Sequence, residues 1–144
     1  MEFVAGGKYS LSLASDGKRV VQVKGTSRVS VTAATSGAES DMWHVVVIKS
    51  GEGGAVVKFV NVDTGDTLTT EGFVLAGRTV VAAPGDDQSQ WILRQDSKSG
   101  SVTVGLLGSP ERLILAYRAP ASAWLASAGD LEAALYGWKV QLQA

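Results

Sequence analysis

Three tryptophans recur at intervals of one third of the chain. Trp43, Trp91 and Trp138 stand 48 and then 47 residues apart in a sequence of 144 residues. Each opens a short strand-like run, in "DMWHVVVIK", "SQWILRQ" and "YGWKVQLQ". A period of this length indicates a repeated supersecondary unit that buries its apolar face only by packing on other copies of itself. The spacing therefore predicts a chain built from three similar units.

The pattern between the tryptophans predicts strands and tight turns. Apolar and polar residues alternate in segments such as "KYSLSLA" and "GSVTVGL", and 17 glycines against three prolines are typical of many turns. Division after each tryptophan run gives units 1–50, 51–98 and 99–144, each with four strands and a tryptophan in the fourth. Four strands cannot bury an apolar face alone, and closure of three units removes exposed edges. We expect one all-β domain over 1–144, a β-trefoil of twelve strands with a six-stranded barrel capped by three hairpins.

The repeated tryptophans are expected to occupy matching positions in one core. A buried indole generally finds an acceptor for its N–H, so a backbone carbonyl should lie beside each ring. Alternation along the third strand of each unit predicts which side chains point inward. Aligning "SRVSVTAAT", "GRTVVAAPG" and "SAWLASAG" gives Val31, Val81 and Leu125 as inward, and Ser30, Val80 and Trp124 as outward.

The tryptophan repeat, the opening "GGKYSLSLA" and the segment "QSQWILRQDSKSGSVTVGLLGSP" (88–110) resemble the ricin-B-like β-trefoil lectins, especially small single-domain lectins of mushrooms. That family carries a Gln two residues before the repeated tryptophan, where this chain has Asp41, Ser89 and Tyr136. The resemblance implies a lectin that binds glycans or glycoproteins without catalysis, in defence against animals that feed on fungi. The same fold occurs in fungal inhibitors of cysteine and serine proteases, so a protease partner stays open.

Composition argues against several other functions. The formal charge is −1 with scattered Lys and Arg, which does not favour nucleic acid. With no cysteine and a single histidine, His44, the chain lacks the residues of nucleophilic triads and cysteine–zinc sites, so we expect no enzyme, metal or cofactor. The sequence shows neither a signal peptide nor an apolar run of about 20 residues. We expect a cytoplasmic monomer or homodimer without membrane insertion.

Sugar recognition requires an aromatic ring for the apolar face of a pyranose and polar groups for its hydroxyls. The third unit is the richest in aromatic residues, and an outward Trp124 is its best binding signal. The alternative is that Trp124 covers a gap under the loop "APASA", and the sequence leaves both interpretations open. The predicted primary site consists of Trp124, Tyr117, Arg118, Arg112, Glu111, Asp130 and Tyr136. A weaker second site in unit two consists of Asp63, Asp66, Phe73, Arg78 and Asp86.

An inhibitor would need a basic side chain on a rigid loop that enters a protease cleft. Lys24 and Arg28 in "VKGTSRV" and Lys98 in "DSKSGS" are the candidates. Ordinary solvated turn charge is the alternative interpretation for all three residues.

Overall fold

The computed structural model of the chain describes residues 3–33, 39–51, 54–70, 79–84, 90–95, 100–107, 113–118, 122–127 and 135–143. Twelve strands and one short 3-10 turn, Glu39–Asp41, lie within these ranges. The strands are β1 Lys8–Leu13, β2 Arg19–Gln22, β3 Val29–Thr32, β4 Trp43–Gly51, β5 Gly54–Asn61, β6 Thr67–Thr70, β7 Val80–Ala83, β8 Trp91–Gln95, β9 Val102–Leu106, β10 Ile114–Arg118, β11 Ser122–Ala126 and β12 Trp138–Gln143. No helix in these ranges is long and apolar enough to cross a membrane.

Antiparallel pairing closes the sheet on itself. A ring of six strands runs β1–β4–β5–β8–β9–β12 and returns to β1. A larger ring of nine strands replaces β12 by the sequence β10–β11–β3–β2 between β9 and β1. Every strand of the closed ring has a neighbour on both sides, so the ring has no unpaired edge at which another chain could add. The prediction of an all-β, closed architecture is confirmed.

Three hairpins, β2–β3, β6–β7 and β10–β11, lie outside the six-stranded ring and together are called the hairpin cap. Their second strands meet one another through backbone bridges. The bridges join Ser30 with Ser122, Arg28 with Val81, and Thr79 with Trp124. The cap therefore brings residues from distant parts of the sequence to one surface, with Trp124 at a junction between β11 and the start of β7.

The repeated tryptophans fill the barrel core. Trp43, Trp91 and Trp138 are each 0% exposed. Each indole Nε1–H donates to a backbone carbonyl 23 residues earlier: to Val20 at 2.9 Å, Leu68 at 3.0 Å and Leu115 at 2.9 Å. Each acceptor lies on the first strand of a cap hairpin, so the indoles link barrel to cap. Both the burial of the three rings and the predicted carbonyl partners are confirmed.

The predicted orientation of one cap strand is wrong. Val31 and Leu125 are buried and Ser30 and Trp124 are half-buried, as expected, but Val80 is fully buried and Val81 is not. Register explains the difference, because Ala82 pairs with Leu68 in β6 just as Val31 pairs with Val20 in β2. The segment "VVAA" offers small apolar residues in both registers, so alternation alone cannot choose between them.

Candidate functional site

Trp124 lies on the outward face of the β10–β11 hairpin. Ala123 and Leu125, its neighbours in β11, point into the core, so strand alternation turns the indole away from the core. The ring is half-buried, and the guanidinium carbon of the exposed Arg118 stands 4.1 Å from its centroid. This distance is typical of a cation–π contact. Two of the predicted site residues, Trp124 and Arg118, are therefore brought together.

The indole N–H of Trp124 differs from those in the core. Its Nε1 atom is buried and has no hydrogen-bond partner among the described residues. A buried donor left without an acceptor costs about 1–3 kcal/mol. The N–H is consequently a donor that an incoming hydroxyl could satisfy, once a neighbouring side chain moves to admit it.

Tyr117 does not share this face. In the hairpin register Trp124 pairs with Ala116 and Tyr117 pairs with Ala123, so Tyr117 and Trp124 point to opposite sides. The half-buried Tyr117 ring packs against the core cluster instead. The predicted grouping of these two aromatic residues around one sugar is therefore not what the structure shows.

Tyr117 belongs to a small cluster with the β1–β2 turn. Lys18 Nζ lies 3.4 Å from the Tyr117 hydroxyl and 5.1 Å from the centroid of its ring. Asp16 accepts a hydrogen bond from the Lys18 backbone N–H at 3.0 Å, and its other carboxylate oxygen lies 3.7 Å from Lys18 Nζ. These contacts connect two chain segments 99 residues apart, which indicates a role in holding the hairpin cap to the barrel.

Asp66 of the predicted second site lies in a comparable link. Gln22, 2% exposed, donates from Nε2 to Asp66 Oδ2 at 2.8 Å and to the Thr26 carbonyl at 2.9 Å. The Thr64 hydroxyl donates to Gln22 Oε1 at 2.7 Å. The side chain of Asp66 is thereby engaged within the protein. The neighbouring Asp63 is exposed, and its backbone N–H donates to Asn61 Oδ1 at 3.0 Å.

The other predicted site residues have different positions. Tyr136 is half-buried beside the β1–β2 turn, since the carbonyl of the next residue, Gly137, accepts from the Ala14 N–H at 2.9 Å. Seven predicted site and loop residues lie outside the described residues: Phe73, Arg78, Asp86, Lys98, Glu111, Arg112 and Asp130.

The loop that carries Lys24 and Arg28 is a compact closed turn. Both side chains are exposed. Val23 N–H donates to the Arg28 carbonyl at 2.8 Å, and the Thr26 hydroxyl donates to the Val23 carbonyl at 2.8 Å and accepts from the Arg28 N–H at 3.0 Å. A turn held by its own hydrogen bonds with two exposed basic side chains fits an inhibitor loop and ordinary turn charge alike.

His44 takes part in local structure. Its Nδ1 lies 3.0 Å from the carbonyl of Gly7. A carbonyl only accepts, so Nδ1 carries the hydrogen in this contact. Within the described ranges no group of three His, Cys, Asp or Glu side chains is placed to hold a metal ion.

Sequence reasoning missed two polar features of the structure. One is the buried Gln22 on β2. A polar residue at an inward strand position is not expected from alternation, and only its hydrogen-bond partners explain it. The other is a pair of cations, Lys49 and Arg94, that lines a pocket on the outside of the barrel. Lys49 and Arg94 are 45 residues apart in the sequence, and nothing in the sequence pattern links them.

Comparison with solved structures shows a β-trefoil fold. Over 96% of the chain it superimposes on 99% of ThreeFoil, a designed 3-fold symmetric protein, with TM-score 0.76 and 21% identity. It also matches a ricin B-like lectin from Macrolepiota procera in complex with lactose, with TM-score 0.74, 12% identity and coverage of 98% and 99%. A Polyporus squamosus lectin bound to Neu5Aca2-6Galb1-4GlcNAc matches with TM-score 0.79 and 12% identity, and here the chain spans 50% of the lectin's length. No family model and no curated protein matches the sequence. At these identities the structural matches establish the fold: the chain is similar to β-trefoil lectins in architecture.

Proposed function

We propose that this protein is a carbohydrate-binding lectin whose primary site is the outward face of the β10–β11 hairpin. The observation that carries the proposal is the half-buried Trp124, turned away from the core with a buried N–H for which the described part of the chain offers no acceptor. Two structurally similar proteins are lectins with bound sugars by their descriptions, which supports glycans as the ligand class. Binding of this kind requires no chemical step, metal or cofactor.

Each group at the face has a role in this proposal. The Trp124 ring stacks on the apolar CH face of a pyranose, and its N–H donates to a sugar hydroxyl. Arg118, which now lies over the indole at 4.1 Å, moves aside and donates to ring or hydroxyl oxygens. Ser30 and Ser122, paired at the adjoining β3–β11 bridge, add hydroxyl groups that both donate and accept. Glu111, Arg112 and Asp130 complete the proposed site from neighbouring segments of the sequence.

We also infer the threefold organisation of the chain, with one domain of three units over 1–50, 51–98 and 99–144. The three indole bonds that each span 23 residues support it. Membership of the ricin-B-like lectins, a fungal defence role, action inside the cell and a second site around Asp63 and Asp66 remain parts of the proposal. In that second site Asp63 is the free-standing exposed carboxylate, whereas Asp66 would have to exchange its Gln22 partner for a ligand.

A glycan array tests the primary site. Wild type should bind at least one glycan, and Trp124→Ala should weaken that binding tenfold or more because the stacking surface is removed. Lys139→Ala, which alters an exposed side chain on β12, is the matched control and should bind like wild type. Absence of binding to every glycan, or full binding by Trp124→Ala, would contradict the proposal. Inhibition of trypsin or papain that depends on Lys24 or Arg28 would replace it with the inhibitor function.

A further inference from the structure

A pocket of about 240 Å³ opens on the outer wall of the barrel, on the β4, β5 and β8 strands. Its described lining residues are Lys49, Ser50, Gly51, Gly54, Val56, Ile92 and Arg94. None of these residues belongs to the hairpin cap or to the predicted sugar sites.

Sheet register explains why these side chains meet. Lys49 pairs with Val56 and Val56 pairs with Ile92, so the three stand side by side across β4, β5 and β8. Ala55 and Leu93 between them point into the core, which places Arg94 on the outer face. At Gly54, with φ of +130°, an added Cβ would overlap the Leu93 carbonyl and lie 3.2 Å from Arg94 Cγ. The absence of a side chain at Gly54 thus lets β8 and the stem of Arg94 approach closely.

The described lining of the pocket combines two positive charges with an apolar floor. Lys49 and Arg94 are exposed and form no ion pair or hydrogen bond among the described contacts, in which Lys8 pairs with Glu39 and Lys18 with Asp16. Val56 and Ile92 are half-buried and supply apolar surface between the two cations. A ligand that satisfies both features carries an anionic group and an apolar ring face. Arg suits a carboxylate because its guanidinium can donate two parallel hydrogen bonds.

We propose that this pocket is a second ligand site, which binds a small sugar acid through its carboxylate. Arg94 holds the carboxylate, the pyranose CH groups lie on Val56 and Ile92, and Lys49 adds positive charge on the other side of these two residues. The volume suits a single ring, since it lies below the roughly 300–1,000 Å³ of sites for drug-sized ligands. The site is separate from Trp124 and does not depend on the proposed function of the hairpin cap.

Titration with methyl β-D-glucuronide against methyl β-D-glucoside tests the assignment, because the two sugars differ only in a carboxylate against a hydroxymethyl group. The readout is the NMR shift of the backbone amides of Ser50, Gly51 and Gly54. The glucuronide should shift these amides saturably and bind at least tenfold more tightly than the glucoside. Binding should weaken several-fold as the salt concentration rises, since exposed charges are screened.

Variants identify the groups responsible. Lys49→Gln with Arg94→Gln should weaken glucuronide binding at least tenfold, whereas Lys139→Gln, a cation on β12, should not change it. Glu52 and Asp96 flank the pocket residues in sequence but lie outside the described residues, and Glu52→Gln with Asp96→Asn should bind equally or more tightly. Trp124→Ala should leave glucuronide binding intact, which separates this site from the hairpin cap.

Several outcomes would overturn the assignment. Equal affinity for the two sugars would do so, as would the lack of a saturable shift at these amides. Unchanged glucuronide affinity in Lys49→Gln/Arg94→Gln, or weaker glucuronide binding in Glu52→Gln/Asp96→Asn, would also contradict it. Circular dichroism of each variant establishes that it is folded before the titration.

Discussion

Replacement of each tryptophan by phenylalanine separates the core indoles from the one proposed to bind sugar. In Trp43→Phe, Trp91→Phe and Trp138→Phe, the buried carbonyl partner loses its donor, at a cost of about 1–3 kcal/mol. The smaller ring also leaves unfilled volume, which adds about 1 kcal/mol. We expect each core variant to lose about 2–4 kcal/mol of unfolding free energy, with the three values agreeing to within about 1 kcal/mol because the geometry is the same.

Trp124→Phe is the matched control for this series. Its Nε1–H has no partner to lose, so the substitution removes an unsatisfied donor and offsets part of the lost packing. The expected change is within about 1 kcal/mol of zero. Urea denaturation followed by circular dichroism measures all four, with differences taken from the midpoints at constant slope. A loss at Trp124 equal to that at the core positions, or one core position far from the other two, would refute this reasoning.

Three further predictions concern the framework. Gly54→Ala should destabilise the fold by more than about 2 kcal/mol, because the added Cβ overlaps the Leu93 carbonyl at a positive φ. Thermal unfolding measures the loss, with Gly51→Ala as the control because the space around Gly51 is open. Gln22→Leu should cost about 1–3 kcal/mol in urea denaturation, because the Asp66 carboxylate loses this donor and the Thr64 O–H loses its acceptor; an unchanged midpoint would contradict a stabilising role for Gln22. Tyr117→Phe should cost less than about 1 kcal/mol, because the ring stays under Lys18 and the distance from Lys18 Nζ to the Tyr117 hydroxyl is a long 3.4 Å; a loss above about 2 kcal/mol in the same assay would contradict this.

The main architecture could be predicted because it rests on period and alternation. The tryptophan spacing located three strands, β4, β8 and β12, and the need of a buried indole for an acceptor predicted the carbonyl partners. Neither inference requires knowledge of which strands pair. Both depend only on the tryptophans themselves and on the interval at which they recur.

Features that depend on register could not be predicted. Val80 and Val81 are chemically identical, so only the pairing of Ala82 with Leu68 decides which one is buried. The separation of Tyr117 from Trp124 likewise follows from the hairpin register, which sets them on opposite faces. Clustering of aromatic residues in a sequence therefore does not establish that they surround one ligand.

Partners that come from distant segments were also beyond sequence reasoning. Gln22 is buried with a polar side chain whose Oε1 accepts from Thr64 and whose Nε2 donates to Asp66, 42 and 44 residues later, as well as to the nearby Thr26 carbonyl. The pocket between Lys49 and Arg94 similarly arises from the adjacency of β4, β5 and β8. Tertiary closure of the barrel creates both features, and neither has a local signature.

The indole N–H resonances of the four tryptophans test the account most directly. In an NMR titration with a glycan selected on the array, the Trp124 Nε1–H signal should shift strongly because it gains an acceptor, while those of Trp43, Trp91 and Trp138 stay in place. Saturable glycan binding with an unmoved Trp124 signal, or with the largest shift at a core indole, would contradict sugar recognition by the hairpin cap.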